Sequence, residues 1–319
     1  MMKKFIKTAL CVMSAIMLFA GCGNSTKGND GYVLKINDEE VSKGEFMVYL
    51  NEARLNFESV GGSDIWETDF EGMTAEDVAK NSAINALELV KVSNQKANEL
   101  GVSLTEDEIS SAKSEAEKSF ETLGEYAENN GITLEDVENT MIDQTLYSKV
   151  YNSVTSSFEV SEADFNAYYE SVKGDLQNYY KKYTIKSIFV SDKVKAEEVI
   201  SKYNSGTDFD TLFDEYEEQE GMINQSETTY KGTLESLFGV EFDVQAGQIS
   251  SALDGGDGYY IIKVENIEES TEEELKSMAE QMYTENAKQQ LFTDEYKKWS
   301  ENVKIEKNDE ILNQIKVNQ

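Results

Sequence analysis

Five apolar helical stripes between Ser42 and Leu176 are each preceded by one small device, a Ser or Thr followed three positions later by an acid. The pairs are Ser42 with Glu45, Thr74 with Asp77, Thr105 with Glu108, Thr133 with Asp136 and Ser161 with Asp164. In such a capping box the hydroxyl accepts from the backbone N–H three residues on, and the acid reaches back to the cap. Behind each cap the apolar residues recur at helical spacing: Phe46, Leu50 and Phe57; Ile84, Leu87 and Val90; Ala112, Ala116 and Phe120; Ile142, Leu146 and Val150; Phe165, Val172 and Leu176. Stripes at i, i+3 and i+4 are faces to be buried. Residues 32–182 therefore read as a helical domain, entered by a short alternating strand at 32–36 that turns at Asn37-Asp38.

The period changes at Tyr183. Residues 183–190 (YTIKSIFV) alternate as a strand. Helical stretches follow at Lys193–Tyr203, Phe209–Glu218 and Leu234–Phe238. Strands at Gln248–Leu253 and Tyr259–Val264 flank Gly255-Gly256-Asp257-Gly258, a hairpin signal. Residues 271–300 return to helix behind a Thr271/Glu274 cap, with Leu275, Met278 and Met282 on one face, and 303–319 are weakly patterned. The fold class is α+β: a helical domain with a small antiparallel-sheet domain inserted at 183–268. The face of Leu275, Met278 and Met282 has no evident partner in so small an insert, so 269–319 is expected to complete the helical domain.

The first residues read as a targeting segment. Lys3, Lys4 and Lys7 precede an apolar run from Thr8 to Ala20, shorter than the roughly 20 residues a bilayer span needs. It ends in Leu18-Phe19-Ala20-Gly21-Cys22, which resembles a lipobox with Phe19 in the place usual for Leu. Residues 1–21 are accordingly expected to be a lipoprotein signal peptide, Cys22 the lipidated first mature residue, and 22–31 a flexible polar tether. The expected location is the outer face of the cell membrane. Cys11 leaves with the signal, so no thiol remains for a disulfide, a metal or catalysis, and the sequence contains no His. A net charge of −33 repels nucleic acid and attracts basic polypeptides. Phosphate loop, nucleophile elbow and zinc spacing are missing, and Asp254 to Gly258 lacks the spacing of an EF-hand, so no metal or cofactor is expected.

Several segments carry a resemblance. Ile185 to Val190, then Gly206-Thr207-Asp208-Phe209 and Leu212, then Phe242 to Ser250 (FDVQAGQIS) and Gly258 to Val264 (GYYIIKV) resemble parvulin-type (rotamase) peptidyl-prolyl isomerases over about residues 183–268. With the helical segments around it, the order of parts is similar to the PrsA/SurA-like foldase lipoproteins of Gram-positive bacteria. The resemblance implies a helical chaperone domain whose last helix follows the inserted isomerase. It implies unfolded, newly exported polypeptides as partners.

The departures fall on the site that the resemblance implies. A His in the first strand is replaced by Ser187, a His in the last by Tyr260, and a Cys or Asp falls near Gln219. The apolar residues that hold the proline ring fall near Leu234 and Leu237, with Phe242 beside them, and Met222 to Tyr230 stands in place of a Gly-rich loop. Isomerisation turns a bond with a barrier of about 18–20 kcal/mol and needs an apolar grip and hydrogen bonds to the twisted amide, with no covalent step. Ser187, Tyr260 and the apolar floor leave residual catalysis conceivable; alternatively the strands are kept for packing alone. The expected function is thus a membrane-anchored foldase or holdase with isomerase activity weak or lost. The alternatives are a solute-binding lipoprotein, which calls for strand–helix alternation through both lobes, and a structural surface lipoprotein.

Overall fold

The computed structural model describes residues 31–220 and 225–317. The signal peptide, most of the tether and the Cys22 lipidation site lie outside the described residues.

The chain opens with the hairpin β1 (Leu34–Ile36) and β2 (Glu39–Val41), then α1 (Lys43–Gly61). A two-strand ribbon, β3 (Asp69–Phe70) and β4 (Met73–Thr74), leads into α2 (Ala75–Gln95). Next come α3 (Glu106–Leu123), α4 (Glu125–Asn130), α5 (Leu134–Thr155) and α6 (Glu162–Tyr179). Each of the five caps begins a helix. Thr105 and Thr133 form complete boxes, in which the acid also accepts from the cap's own N–H. At Ser42 the box is opened: its oxygen accepts from Glu45 N at 3.0 Å, but its hydroxyl donates to Asp136 Oδ1 at 2.9 Å.

The second half holds β5 (Lys182–Val190), α7 (Lys193–Asn204), α8 (Phe209–Glu220), β6 (Gln225–Tyr230) and α9 (Lys231–Phe238). It ends in β7 (Leu253–Asp254), β8 (Tyr259–Glu268), α10 (Glu272–Ser300), β9 (Ile305–Lys307) and α11 (Asp309–Leu312). The architecture is α+β, mostly helical with small antiparallel sheets.

The chain divides into two compact units. One runs to Phe158 and resumes at Lys288; the other is Glu159–Ala287. In the first unit, β9 pairs with β1 in register Leu34↔Lys307 and Ile36↔Ile305, giving the sheet order β2–β1–β9. Its core joins Leu34, Phe46, Leu50 and Leu87 to Phe292, Ile315 and Val317, all nearly or wholly buried. The tail that looked weakly patterned therefore supplies a strand and core residues. Single apolar residues among polar ones gave no period, and a three-residue strand is too short to show one.

The second unit is wider than the 183–268 segment read from the sequence. It includes α6 and the start of α10, because Leu275 and Ala279 pack against Tyr169 and Leu176 of α6. Tyr283 extends the same contact, with its ring 5.3 Å from Tyr168 and 6.1 Å from Phe165. The face of Leu275 finds its partner there, within the second unit. The later half of α10 carries Phe292 and Trp299 into the first unit's core.

Candidate functional site

The four-stranded sheet of the second unit has the order β6–β5–β8–β7, with β5 and β8 antiparallel at its centre. Directly opposed residues of an antiparallel pair share a face. Ile188 and Val190 of β5 and Ile261 of β8 lie on one face, covered by Ala196 and Val199 of α7 and by Phe209, Leu212 and Tyr216 of α8. The other face presents Ile185, Ser187 and Phe189 beside Val264, Ile262 and Tyr260, in the register Ile185↔Val264, Ser187↔Ile262 and Phe189↔Tyr260.

This second face brings together four of the expected site residues, Ser187, Leu234, Phe242 and Tyr260. Ser187 and Tyr260 share it as diagonal neighbours, and Ser187 is buried. Leu234 of α9 and Phe242 pack on it with Tyr183, Ile185, Ile262 and Val264. The Phe242 ring meets Tyr183 at 5.7 Å and 72°. Leu237, by contrast, is 65% exposed and is not part of this packing. Phe238 takes its place, since four residues on from Leu234 brings a helix back to the same side. The backbone of Gln219 lies in the last turn of α8.

Two residues not singled out from the sequence shape the site. The Tyr260 ring sits 4.9 Å from Phe189 and 5.4 Å from Phe238, tilted to both, a geometry aromatic pairs favour. Phe189 was legible in principle, because it stands two residues from Ser187 on the same side of a strand. The hairpin makes room for these rings with glycine. A Cβ at Gly255 would lie 2.4 Å from the Tyr260 ring, and one at Gly258 would lie 2.3 Å from that of Phe189.

Polar contacts fasten the floor. Phe242 N–H donates to Glu235 Oε1 at 3.0 Å, tying the loop after α9 back to that helix. Lys231, buried at the start of α9, donates to Asp243 Oδ1 at 2.8 Å and to Asn178 Oδ1 at 3.2 Å. The hydrogen bond to Asp243 raises the Lys231 ammonium above its ordinary value, so the clamp stays charged. Beyond the hairpin, Ser250 N donates to Ile262 O at 2.8 Å and Ile262 N donates to Ser250 Oγ at 2.9 Å, holding the 248–250 segment against β8. Burial, with help from the Asp257 charge, pushes the Tyr260 phenol up, so it remains a neutral hydroxyl at physiological pH. Within the segment expected to stand in place of a Gly-rich loop, Gln225–Tyr230 forms β6, whose Gln225 stands opposite Ser187. Chemically, the face offers an aromatic floor, one alcohol and one phenol. It can grip an apolar ring and donate a hydrogen bond, and among its described residues it holds no ready proton acceptor of near-neutral pKa.

Comparison with known proteins agrees with this division. The family model of the PPIC-type PPIase domain matches residues 160–280, and that of the SurA-like N-terminal domain matches residues 2–134. Two proteins named foldase protein PrsA are similar over nearly their whole lengths. That of Caldanaerobacter subterraneus is 22% identical, over 95% of this chain and 99% of its own. That of Clostridium botulinum (strain Langeland) is also 22% identical, over 95% and 96%. Among solved structures, a SurA-like chaperone of Campylobacter jejuni aligns with a TM-score of 0.39 and 14% identity, over 87% of this chain and 99% of that one. PrsA of Bacillus subtilis aligns with a TM-score of 0.27 and 25% identity, over 74% and 88%.

Proposed function

This chain belongs to the foldases that join a SurA-like N-terminal domain to a PPIC-type PPIase domain, and from that premise we propose a division of labour between its units. It holds unfolded exported polypeptides at the outer face of the cell membrane, anchored by lipid on Cys22. The helical unit does the holding, while the isomerase-type unit turns over weakly or not at all.

The observation that carries this reading is the Tyr260 ring, packed against Phe189 and Phe238 beside a buried Ser187. The resemblance implies a pair of histidines at those two positions. A polar group aimed at a transition state is commonly worth about 2.7–4 kcal/mol, or roughly 10²–10³ in rate. Losing several from one network need not add, since such groups act together. One such loss already brings a modest catalyst close to background.

Holding a client asks for less: exposed apolar surface and a charge that keeps the complex dispersed. The helical unit exposes Leu55, Val60 and Met73, and the chain's charge of −33 favours basic clients. Among the described residues no helix is long and apolar enough to cross a membrane; the assignment of attachment to Cys22 rests on the lipobox-like Leu18 to Cys22.

The test runs a protease-coupled proline-peptide assay beside an aggregation-suppression assay on the mature chain. Suppression with isomerisation near the uncatalysed rate is expected. A catalytic efficiency equal to that of a His-containing parvulin would overturn the division, and loss of suppression would remove the chaperone half of it. Labelling with a palmitate analogue should mark wild type and not Cys22→Ala.

A further inference from the structure

The helical unit encloses a charged group that its apolar core does not need. Lys91 of α2 has 6% of its side chain exposed, and its Nζ meets acids from three other elements. Glu39 Oε1 of β2 lies 2.7 Å away, Glu45 Oε1 of α1 lies 2.8 Å away, and Asp143 of α5 is in direct contact. Glu45 and Asp143 are each only 10% exposed, whereas Glu39 is 41% exposed. One ammonium therefore faces two desolvated carboxylates and a third at the rim.

The neighbourhood does little for the excess negative charge. Asn94 Nδ2 donates to Asp143 Oδ1 at 3.2 Å, a neutral donor that brings no positive charge. Glu39 and Asp136 push Glu45 further up, while Tyr49 of α1 stands alongside as a buried titratable group and Glu52 as a half-buried one. Glu45 Oε1, Tyr49 OH and Thr140 Oγ1 are buried with no hydrogen-bond partner among the described residues. For Glu45 the ammonium at 2.8 Å gives charge contact without hydrogen-bond geometry. Two buried like charges beside a single counter-charge are relieved most simply by neutralising one of them.

We infer that Glu45 and Asp143 form a proton-binding site, holding one proton between them that the helical unit takes up on folding and releases as the medium turns alkaline. The bound proton converts one carboxylate to a carboxylic acid and leaves the Lys91 ammonium paired with the other. Burial is the largest influence on both carboxyls and raises them. The Lys91 charge opposes it, and Asp143 comes to rest at about 7. Burial pulls Lys91 down, but Glu45, Asp143 and Glu39 outweigh it, so the ammonium stays charged throughout. For Asp143 the folded value lies above the ordinary 3.8, so its contribution to stability is complete below that value and is lost as pH rises through about 7.

The chain carries its own probe, because both its tryptophans, Trp66 and Trp299, pack against the helical unit's core. Urea unfolding of the full chain, followed by their fluorescence from pH 5 to pH 8, should show a stability that falls with pH. One proton changes the folding constant by up to about tenfold per pH unit between pH 5 and 7. The exposed acids that lysines hold below their ordinary value, Glu108 and Glu274 among them, give a background of the opposite sign that fades above pH 5, where they are ionised in both states. Asp143→Asn keeps that background and removes the site, so its slope must be shallower. Glu45→Gln must act alike, and the exposed Glu117→Gln must keep the wild-type slope. Equal slopes in wild type and the two site variants overturn the inference. Where neither variant folds, the infrared carbonyl band of a protonated carboxyl decides. Wild type at pH 6 must show it and lose it by pH 9, and its absence at pH 6 overturns the inference.

Discussion

The two faces of the β5–β8 sheet are built from the same two strands and are both buried, but they differ in what they bury. On the face covered by α7 and α8, Ile188, Val190, Val199, Phe209, Leu212 and Ile261 are wholly buried. On the other face Ile185, Ile262 and Val264 are buried just as deeply, but a buried Ser187 and the Tyr260 ring between Phe189 and Phe238 interrupt the aliphatic surface. A strand alternates its side chains between faces, so one backbone can serve both requirements independently. The difference teaches that the covered face specifies the fold. The other face accommodates an alcohol and a phenol between the same strands without disturbing their pairing.

The contrast can be broken in order of expected damage. Phe209→Ala should cost about 3–5 kcal/mol, the range for removing a buried aromatic ring. Its signature is lost amide-exchange protection in β5 and β8, while the tryptophan-reported transition of the helical unit stays in place. Gly258→Ala should cost less, about 1–3 kcal/mol, because the added methyl meets the Phe189 ring, which can shift, and the Val190 carbonyl, which cannot. If urea unfolding found Gly258→Ala the more damaging of the two, the covered face would not be the one that holds the unit together.

Tyr260→Phe should do least. The ring and its contacts with Phe189 and Phe238 are kept, so stability should stay within about 0.5 kcal/mol. The proline-peptide rate should not change. A tenfold fall in that rate would assign the phenol a chemical task and end the distinction between a site of packing and a site of catalysis.

Local signals in the sequence predict most of the fold. The cap pairs fix where the helices of the first half begin, and the alternation of 183–190 fixes β5 and the faces its residues occupy. What local signals do not carry is partnership. Leu275 at the start of α10 looks unpartnered until α6 is placed beside it, since nothing in the spacing of either helix names the other. Residues 225–230 (QSETTY) are too polar to announce a strand and become one by pairing along β5. For the candidate site, strand register put Ser187 and Tyr260 on a common face. The choice of Phe238 over Leu237 depended on the phase of α9, which starts at Lys231, three residues ahead of the apolar stretch that marks it in the sequence.

The pairing of β1 with β9 has a consequence for the order of events in synthesis. The two strands are about 270 residues apart in the chain, and Phe292, Ile315 and Val317 of the helical core also come from its last stretch. A nascent chain leaves the ribosome from its N-terminus, and domains generally fold as units as their residues emerge. The contiguous unit has all its residues in hand once Ala287 has emerged, while the helical unit still lacks a strand and part of its core. The unit that begins first is therefore the last that can close. Until then its apolar faces stand open on a chain that is itself still unfolded, and a foldase passes through the condition of its own clients before it can serve them.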